Sequence, residues 1–292
     1  MDFGNVITAM VTPFTADGQV DYNQAQQLAE YLFNHGSDSL AIAGTTGESP
    51  TLTNEEKLKL FAAVKETAKG KGKVIAGTTN NATASSVELT KKAEAIGVDG
   101  ILAVVPYYNK PTQEGVYRHF AAIANNTSLP VILYNIPGRC VINMTPETIV
   151  RLSKIDNIVA NKEASGSMDQ VSEIRARTAD DFLIYSGDDA LTLPILSLGG
   201  RGIVSVAAHL VGNQIQDMIK AFQAGDNKKA LSIHTHLLPL FKKIFIVANP
   251  LPIKYCVDKI IMPMGGCRLP LYGPEAKEKT ILDEMLQEYN LL

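Results

Sequence analysis

One lysine stands out at the end of a short apolar run. In Ile158-Val159-Ala160-Asn161-Lys162, strand alternation puts Ile158, Ala160 and Lys162 on one face. If that face lines a barrel, the ammonium sits at the mouth of an apolar well, where desolvation lowers its pKa. A neutral amine there attacks a ketone and forms a Schiff base. The competing reading is a lysine that snorkels from a strand end into water. Tyr134 closes the preceding run and shares a face with Ile132. Its phenol suits proton transfer at an imine centre; otherwise it is a core tyrosine with a satisfied hydroxyl. Thr45 and Thr46, in Gly44-Thr45-Thr46-Gly47-Glu48, offer two hydroxyls and turn N–H groups to a substrate carboxylate, or simply cap a turn. Arg139 follows Pro137-Gly138, where a guanidinium clamps a second carboxylate or pairs at the surface.

Other reactive types carry less. His234 and His236 are two apart in a helical stretch and point in different directions, so they make no metal pair. Cys140, Cys256 and Cys267 lack CxxC spacing and read as free thiols; Cys140 lies near the presumed mouth as a candidate reactive one. Asp188 and Asp189, with no third acidic ligand nearby, read as a helix N-cap pair. Gly199-Gly200-Arg201-Gly202 precedes a strand and reads as a turn, not a phosphate cradle. No metal is expected.

These residues need elements to position them. Apolar runs suited to buried parallel strands occur near 5–11, 39–43, 74–77, 100–105, 131–134, 158–162, 182–185 and 202–206. Helical patterns separate them. Thr53 with Glu56 makes a capping box, and Asp21, Thr83, Thr145 and Asp189 are further N-cap candidates. Pro146 suits a first helical position. Eight βα units predict an α/β fold, a closed (β/α)8 TIM barrel over residues 1–210. A doubly wound sheet usually carries fewer strands and a Gly-rich first turn, which Gly4 and Gly18 do not make. The remainder, 211–292, predicts a C-terminal helical extension of two or three helices packed on the barrel, broken at Asn249-Pro250-Leu251-Pro252. The catalytic residues then belong at the C-terminal ends of the strands.

Composition agrees with this. The chain has 292 residues, 46% hydrophobic and 20% charged, with a net charge of −3. That excludes disorder, and the lack of basic excess argues against a nucleic-acid partner. Three cysteines do not make a disulfide scaffold. No apolar run reaches a membrane span, and no basic, apolar leader opens the chain. The expectation is a cytoplasmic protein.

Several motifs together resemble the dihydrodipicolinate synthase family, within the pyruvate-dependent Schiff-base lyases that include N-acetylneuraminate lyase. They are Gly44-Thr45-Thr46-Gly47-Glu48-Ser49, Tyr134-Asn135-Ile136-Pro137-Gly138-Arg139 and Lys162-Glu163-Ala164-Ser165-Gly166. Pro106-Tyr107-Tyr108-Asn109-Lys110-Pro111, Tyr185-Ser186-Gly187-Asp188-Asp189 and Arg268-Leu269-Pro270-Leu271 extend the likeness over essentially the whole chain. The resemblance implies that Lys162 forms an imine with pyruvate. It implies Tyr134 as acid/base, with Thr45 and Tyr108 completing a proton relay. Tyr108 would reach in from a neighbouring subunit, within a homotetramer built as a dimer of dimers. Pyruvate's carboxylate would rest on Thr45 and Thr46, with Gly187 and Val204 lining the pocket through backbone groups. Arg139 would bind aspartate 4-semialdehyde, and no external cofactor would be needed. The implied reaction gives 4-hydroxy-tetrahydrodipicolinate, in lysine and diaminopimelate biosynthesis. Arg139 and the Thr-Thr pair side with the synthase over sialic acid lyases and sugar-acid aldolases. Another pyruvate-dependent aldolase is the alternative reading, and a non-catalytic pyruvate-binding paralogue is a third.

Some positions depart from the family's pattern. Lysine-inhibited members carry two histidines and an acidic residue where this chain has Asn54, Lys57 and Ser85, so weak or absent lysine inhibition is expected. Asn161 replaces an apolar residue and needs a buried partner on the helix side. Thr79 replaces a glycine after Gly77-Thr78, which bears on the third loop.

Overall fold

A computed structural model describes residues 2–292. Eight parallel strands close into a barrel in sequence order: β1 (Val6–Ala9), β2 (Ser39–Ile42), β3 (Lys73–Gly77), β4 (Gly100–Val104), β5 (Val131–Asn135), β6 (Ile158–Glu163), β7 (Leu183–Ser186) and β8 (Gly202–Ser205). All eight expected strands are present, with ends shifted by a residue or two. Only β1 stops clearly short of the expected run, at Ala9, ahead of Pro13.

Alternation sorts the strand side chains into two cores. Ile7, Ala41, Ile75, Leu102, Ile132, Ala160, Tyr185 and Val204 fill the barrel interior, with Phe3 among them. The opposite faces pack on the helices. Alternation fails at one place. Val131 pairs with Ile158 but Ile132 pairs with Ala160, so Val159 is skipped by a bulge. Ile158 therefore belongs to the helix-side core, while Ala160 packs in the interior. The expected shared face of Ile158, Ala160 and Lys162 is thus corrected to Ala160 and Lys162.

Several helix starts follow the sequence. The Asp21 carboxylate accepts from the Gln24 N–H, and Thr53 and Glu56 form the complete capping box. Thr145 caps the helix Pro146–Leu152, with Pro146 first in it. Thr83 is not a cap: Ala82 precedes the helix Thr83–Ile96, and the Thr83 hydroxyl bonds His119 Nδ1 at 2.9 Å. Asp188, not Asp189, caps the turn at Asp189–Leu191 by accepting from the Ala190 N–H.

The helix Ala208–Gln223 follows β8, packs on β1 and runs through the expected boundary at 210/211. Helical geometry lapses at Val211, next to Gly212. A Cβ on Gly212 would stand 2.3 Å from the His35 carbonyl oxygen, so only glycine permits this approach. Three more helices follow: Asn227–Lys243, Leu251–Ile260 and Ala276–Glu288. The expected break at 249–252 is displaced: the interruption spans 244–250, and Leu251 and Pro252 already open the next helix, where a proline's missing N–H is tolerated. Among the described residues no helix is long and apolar enough to cross a membrane.

Candidate active site

The C-terminal ends of the strands converge on one cavity. Strand register sets Tyr134, Lys162 and Tyr185 side by side on β5, β6 and β7. Lys162 is 5% exposed and its Nζ lies 4.0 Å from the Tyr134 ring centroid. Burial pulls the Lys162 pKa down to about 7; the Asp189 charge opposes this and Arg139 adds to it. Near neutrality about half of such amines are unprotonated, against roughly one in a few thousand for an ordinary lysine. Burial pushes the Tyr134 phenol up to about 12, against the pull of Arg139 and the Thr45 hydroxyl. It therefore stays a proton donor unless a base takes its proton. A nucleophilic amine and a protonated phenol buried side by side are the parts imine chemistry needs.

Gly187 follows β7, and its N–H donates to the Glu163 carbonyl at 2.8 Å. A Cβ there would stand 3.1 Å from Lys162 Cε and 2.7 Å from Ala164 Cβ. The missing side chain leaves room for the lysine stem.

The cavity around Lys162 is lined by Ala9, Ala41, Gly44, Thr45, Thr46, Leu102, Tyr134, Ile136, Arg139, Gly187, Val206, Phe245 and Asn249. Thr45, Tyr134 and Arg139 also face an adjoining chamber lined by Ser49, Thr79, Val104, Tyr107 and Cys140. Thr79 Oγ1 accepts from the Val104 N–H at 2.7 Å, so its hydroxyl shapes that chamber. Val206, not Val204, reaches the lysine cavity. Val204 pairs with Ile7 one layer deeper, because β8 alternates about Ser205. Tyr108 is on neither wall. It is 86% exposed with φ at 76°, a left-handed conformation a tyrosine rarely adopts.

Arg139 lies exposed at the mouth, on the short helix Pro137–Cys140. Its Nη2 donates to the Asn249 carbonyl at 2.9 Å. Cys140 beside it is buried, donates its thiol to the Val105 carbonyl, and is pushed up to about 11 by burial. Burial removes the thiolate that reactivity would need.

Three groups escaped the sequence reading. Asp189 is buried and accepts from the Ser205 hydroxyl and from the Val206 and Ala207 N–H groups; burial pushes it up to about 6. It places a negative charge behind the lysine well, not at a solvent-facing cap. Asn249 and Phe245 bring the C-terminal part into the cavity wall. The Asn161 partner is Glu163: Asn161 Nδ2 donates to Glu163 Oε2 at 3.0 Å. Glu163 also accepts from Asn135, Gln170 and the Ser165 N–H on the helix side. Asn135 in turn accepts from the Met144 N–H, which fixes the loop bearing Arg139. Only Asn161 itself carried a signal, as a polar residue in an apolar strand.

This geometry agrees with comparisons to known proteins. A family model described as the dihydrodipicolinate synthetase family matches residues 2–289. A 4-hydroxy-tetrahydrodipicolinate synthase of Moorella thermoacetica is 54% identical over 292 residues, covering 100% of both chains. A crystal structure of the Cyanidioschyzon merolae synthase with lysine bound superposes with a TM-score of 0.98 at 50% identity, covering 99% of each chain. The chloride-inhibited Acinetobacter baumannii dihydrodipicolinate synthase, complexed with pyruvate, gives 0.96 at 34% identity over 100% of both chains. A lysine well at the mouth of a closed barrel and full-length likeness on this scale have one reading: the chain belongs to the dihydrodipicolinate synthetase family.

Proposed function

We infer that this chain condenses pyruvate with aspartate 4-semialdehyde through an imine on Lys162. The reaction is a Schiff-base lyase activity and yields 4-hydroxy-tetrahydrodipicolinate for lysine and diaminopimelate biosynthesis. The observation that carries the reading is Lys162, held near pKa 7 by burial against Tyr134.

The neutral Nζ attacks the pyruvate carbonyl carbon, water leaves, and an iminium forms. Loss of a methyl proton gives the enamine. Its carbon attacks the aldehyde, forming the new C–C bond, and Tyr134 returns a proton to the resulting oxygen. The amine of the adduct then attacks the imine carbon, displaces Lys162 and closes the ring. Thr45 and Thr46 hold the pyruvate carboxylate, and Gly187 keeps the lysine stem free. Tyr108, exposed on a single chain, serves the relay of a second copy within a tetramer of two dimers. The enzyme works in the cytoplasm.

Incubation with pyruvate and borohydride, followed by peptide mass spectrometry, tests the reading. The label is expected on Lys162; no label, or a label elsewhere, overturns it. Aspartate semialdehyde against N-acetylmannosamine as acceptor then separates synthase from aldolase.

Arg139→Ala is expected to spare trapping and to raise the KM for aspartate semialdehyde about tenfold or more, as loss of a charged hydrogen-bonding partner does. An unchanged KM removes Arg139 from the second subsite.

We further expect little inhibition by lysine. Lys57 is buried, with its pKa lowered by that burial, and Ser85 accepts from Asn80 Nδ2. A cationic effector would meet an ammonium there and no carboxylate. A steady-state assay with millimolar lysine checks this, and strong inhibition refutes it.

A further inference from the structure

Asn249 touches two residues assigned to substrate binding, Thr46 and Arg139. It lies in the segment between the helices Asn227–Lys243 and Leu251–Ile260, some 200 residues from the loop it meets. The residue is 6% exposed and stands on the wall of the lysine cavity. Its Nδ2 donates to Thr46 Oγ1 at 2.9 Å. The backbone carbonyl oxygen of Asn249 accepts from Arg139 Nη2 at 2.9 Å.

The direction of the first bond matters. An amide N–H donates only, so the Thr46 oxygen is the acceptor and its own proton is turned away from Asn249. That proton is then free for an anion in the cavity. The second bond ties Arg139, exposed at the mouth, to the same backbone unit. The segment is anchored in turn: Lys254, five residues on, donates to Glu48 Oε1 at 2.7 Å, two residues after Thr46.

We propose that Asn249 is a positioning residue whose side chain fixes Thr46 as a hydrogen-bond donor to the bound carboxylate, while its backbone carbonyl holds Arg139 at the mouth. The proposal rests on the reading above, in which that carboxylate is pyruvate's. The residue must be a neutral donor. An aspartate there would accept the Thr46 proton and set a second negative charge beside the substrate's. A residue needed only to fill space would instead tolerate aspartate, which matches asparagine in shape, better than alanine.

The test is the pyruvate concentration giving half-maximal borohydride trapping on Lys162, in the full chain, for wild type, Asn249→Ala and Asn249→Asp. Folding is followed by circular dichroism. Half-saturation is expected to rise about tenfold for alanine and about a hundredfold for aspartate, the usual scale for losing and then opposing a charged hydrogen bond. Aspartate equal to or better than alanine overturns the proposal. If Asn249→Asp does not fold, Thr46→Val, Asn249→Ala and the double variant decide. Non-additive losses support the coupling, and additive losses overturn it. Wild type that fails to trap pyruvate sinks the proposed function itself. Wild type that traps normally while the variants lack the predicted order sinks only this inference.

Discussion

Lys162→Ala is expected to abolish borohydride trapping by pyruvate and to cut turnover on the order of 10⁴-fold or more, the scale seen when a covalent nucleophile is removed. The variant should fold. The wild-type lysine is buried at a cost, and an alanine removes it. The Lys162 pKa is about 7 in the fold against 10.5 ordinarily. Between these values the unfolded chain binds a proton that the folded chain does not, so folding is penalised at lower pH and relieved as pH rises. The stability gained by Lys162→Ala is therefore largest at or below pH 7 and fades toward pH 10.5. The same pKa predicts that wild-type trapping rates climb as pH rises through about 7. A trapping rate that keeps rising to pH 10 would show that the well does not depress the amine.

The second large effect concerns a pair outside the cavity. Lys254 and Glu48 meet at 2.7 Å with their side chains 2% and 0% exposed. Burial lowers the Lys254 pKa and Glu48 pulls it back. The pair ties the helix Leu251–Ile260 to the loop carrying Thr45 and Thr46, and Glu48 Oε2 also accepts from the Arg268 N–H. Glu48 sits in left-handed backbone with φ at 57°, an unfavourable setting for a residue with a Cβ. Lys254→Met leaves that carboxylate buried without its counter-charge, and removing one partner of such a pair costs about 3–5 kcal/mol. For a chain of this size the expected drop in melting temperature is roughly 10 °C. Glu48→Gln/Lys254→Met removes both charges while keeping an acceptor for Arg268, and most of the loss should return. Equal stability of Lys254→Met and wild type in thermal melts would show that the pair contributes nothing.

Lys162 and Lys254 separate the chemistry from its frame. Lys162 owes its reactivity to desolvation that outweighs the Asp189 charge, whereas Lys254 is tolerated in the core because Glu48 pairs with it.

The sequence alone determined the eight strands and the barrel. Parallel strands are covered on both faces, so each appears as a short apolar run between helix caps, and eight such runs leave few topologies. It also determined which reactive residues lie at strand ends. Lys162 and Tyr134 are legible because both close such runs. Thr53 with Glu56, and Thr145 before Pro146, are legible because a cap is a contact within one turn of chain.

Tertiary structure alone decided what depends on register and on contacts between distant residues. The bulge that skips Val159 is a property of the pair β5–β6, and alternation within one strand cannot reveal it. Val206 reaches the cavity in place of Val204 for a similar reason, since strand stagger sets which pleat meets the mouth. Asp189 looks like a cap until β8 folds the Ser205 hydroxyl and two N–H groups onto it. Asn249 and Lys254 lie about 200 residues from Thr46 and Glu48, and nothing local marks them as partners. The lysine's pKa belongs to this second class as well. Side-chain type supplies an amine, but its neutrality comes from the enclosing barrel, where burial outweighs the nearby carboxylate.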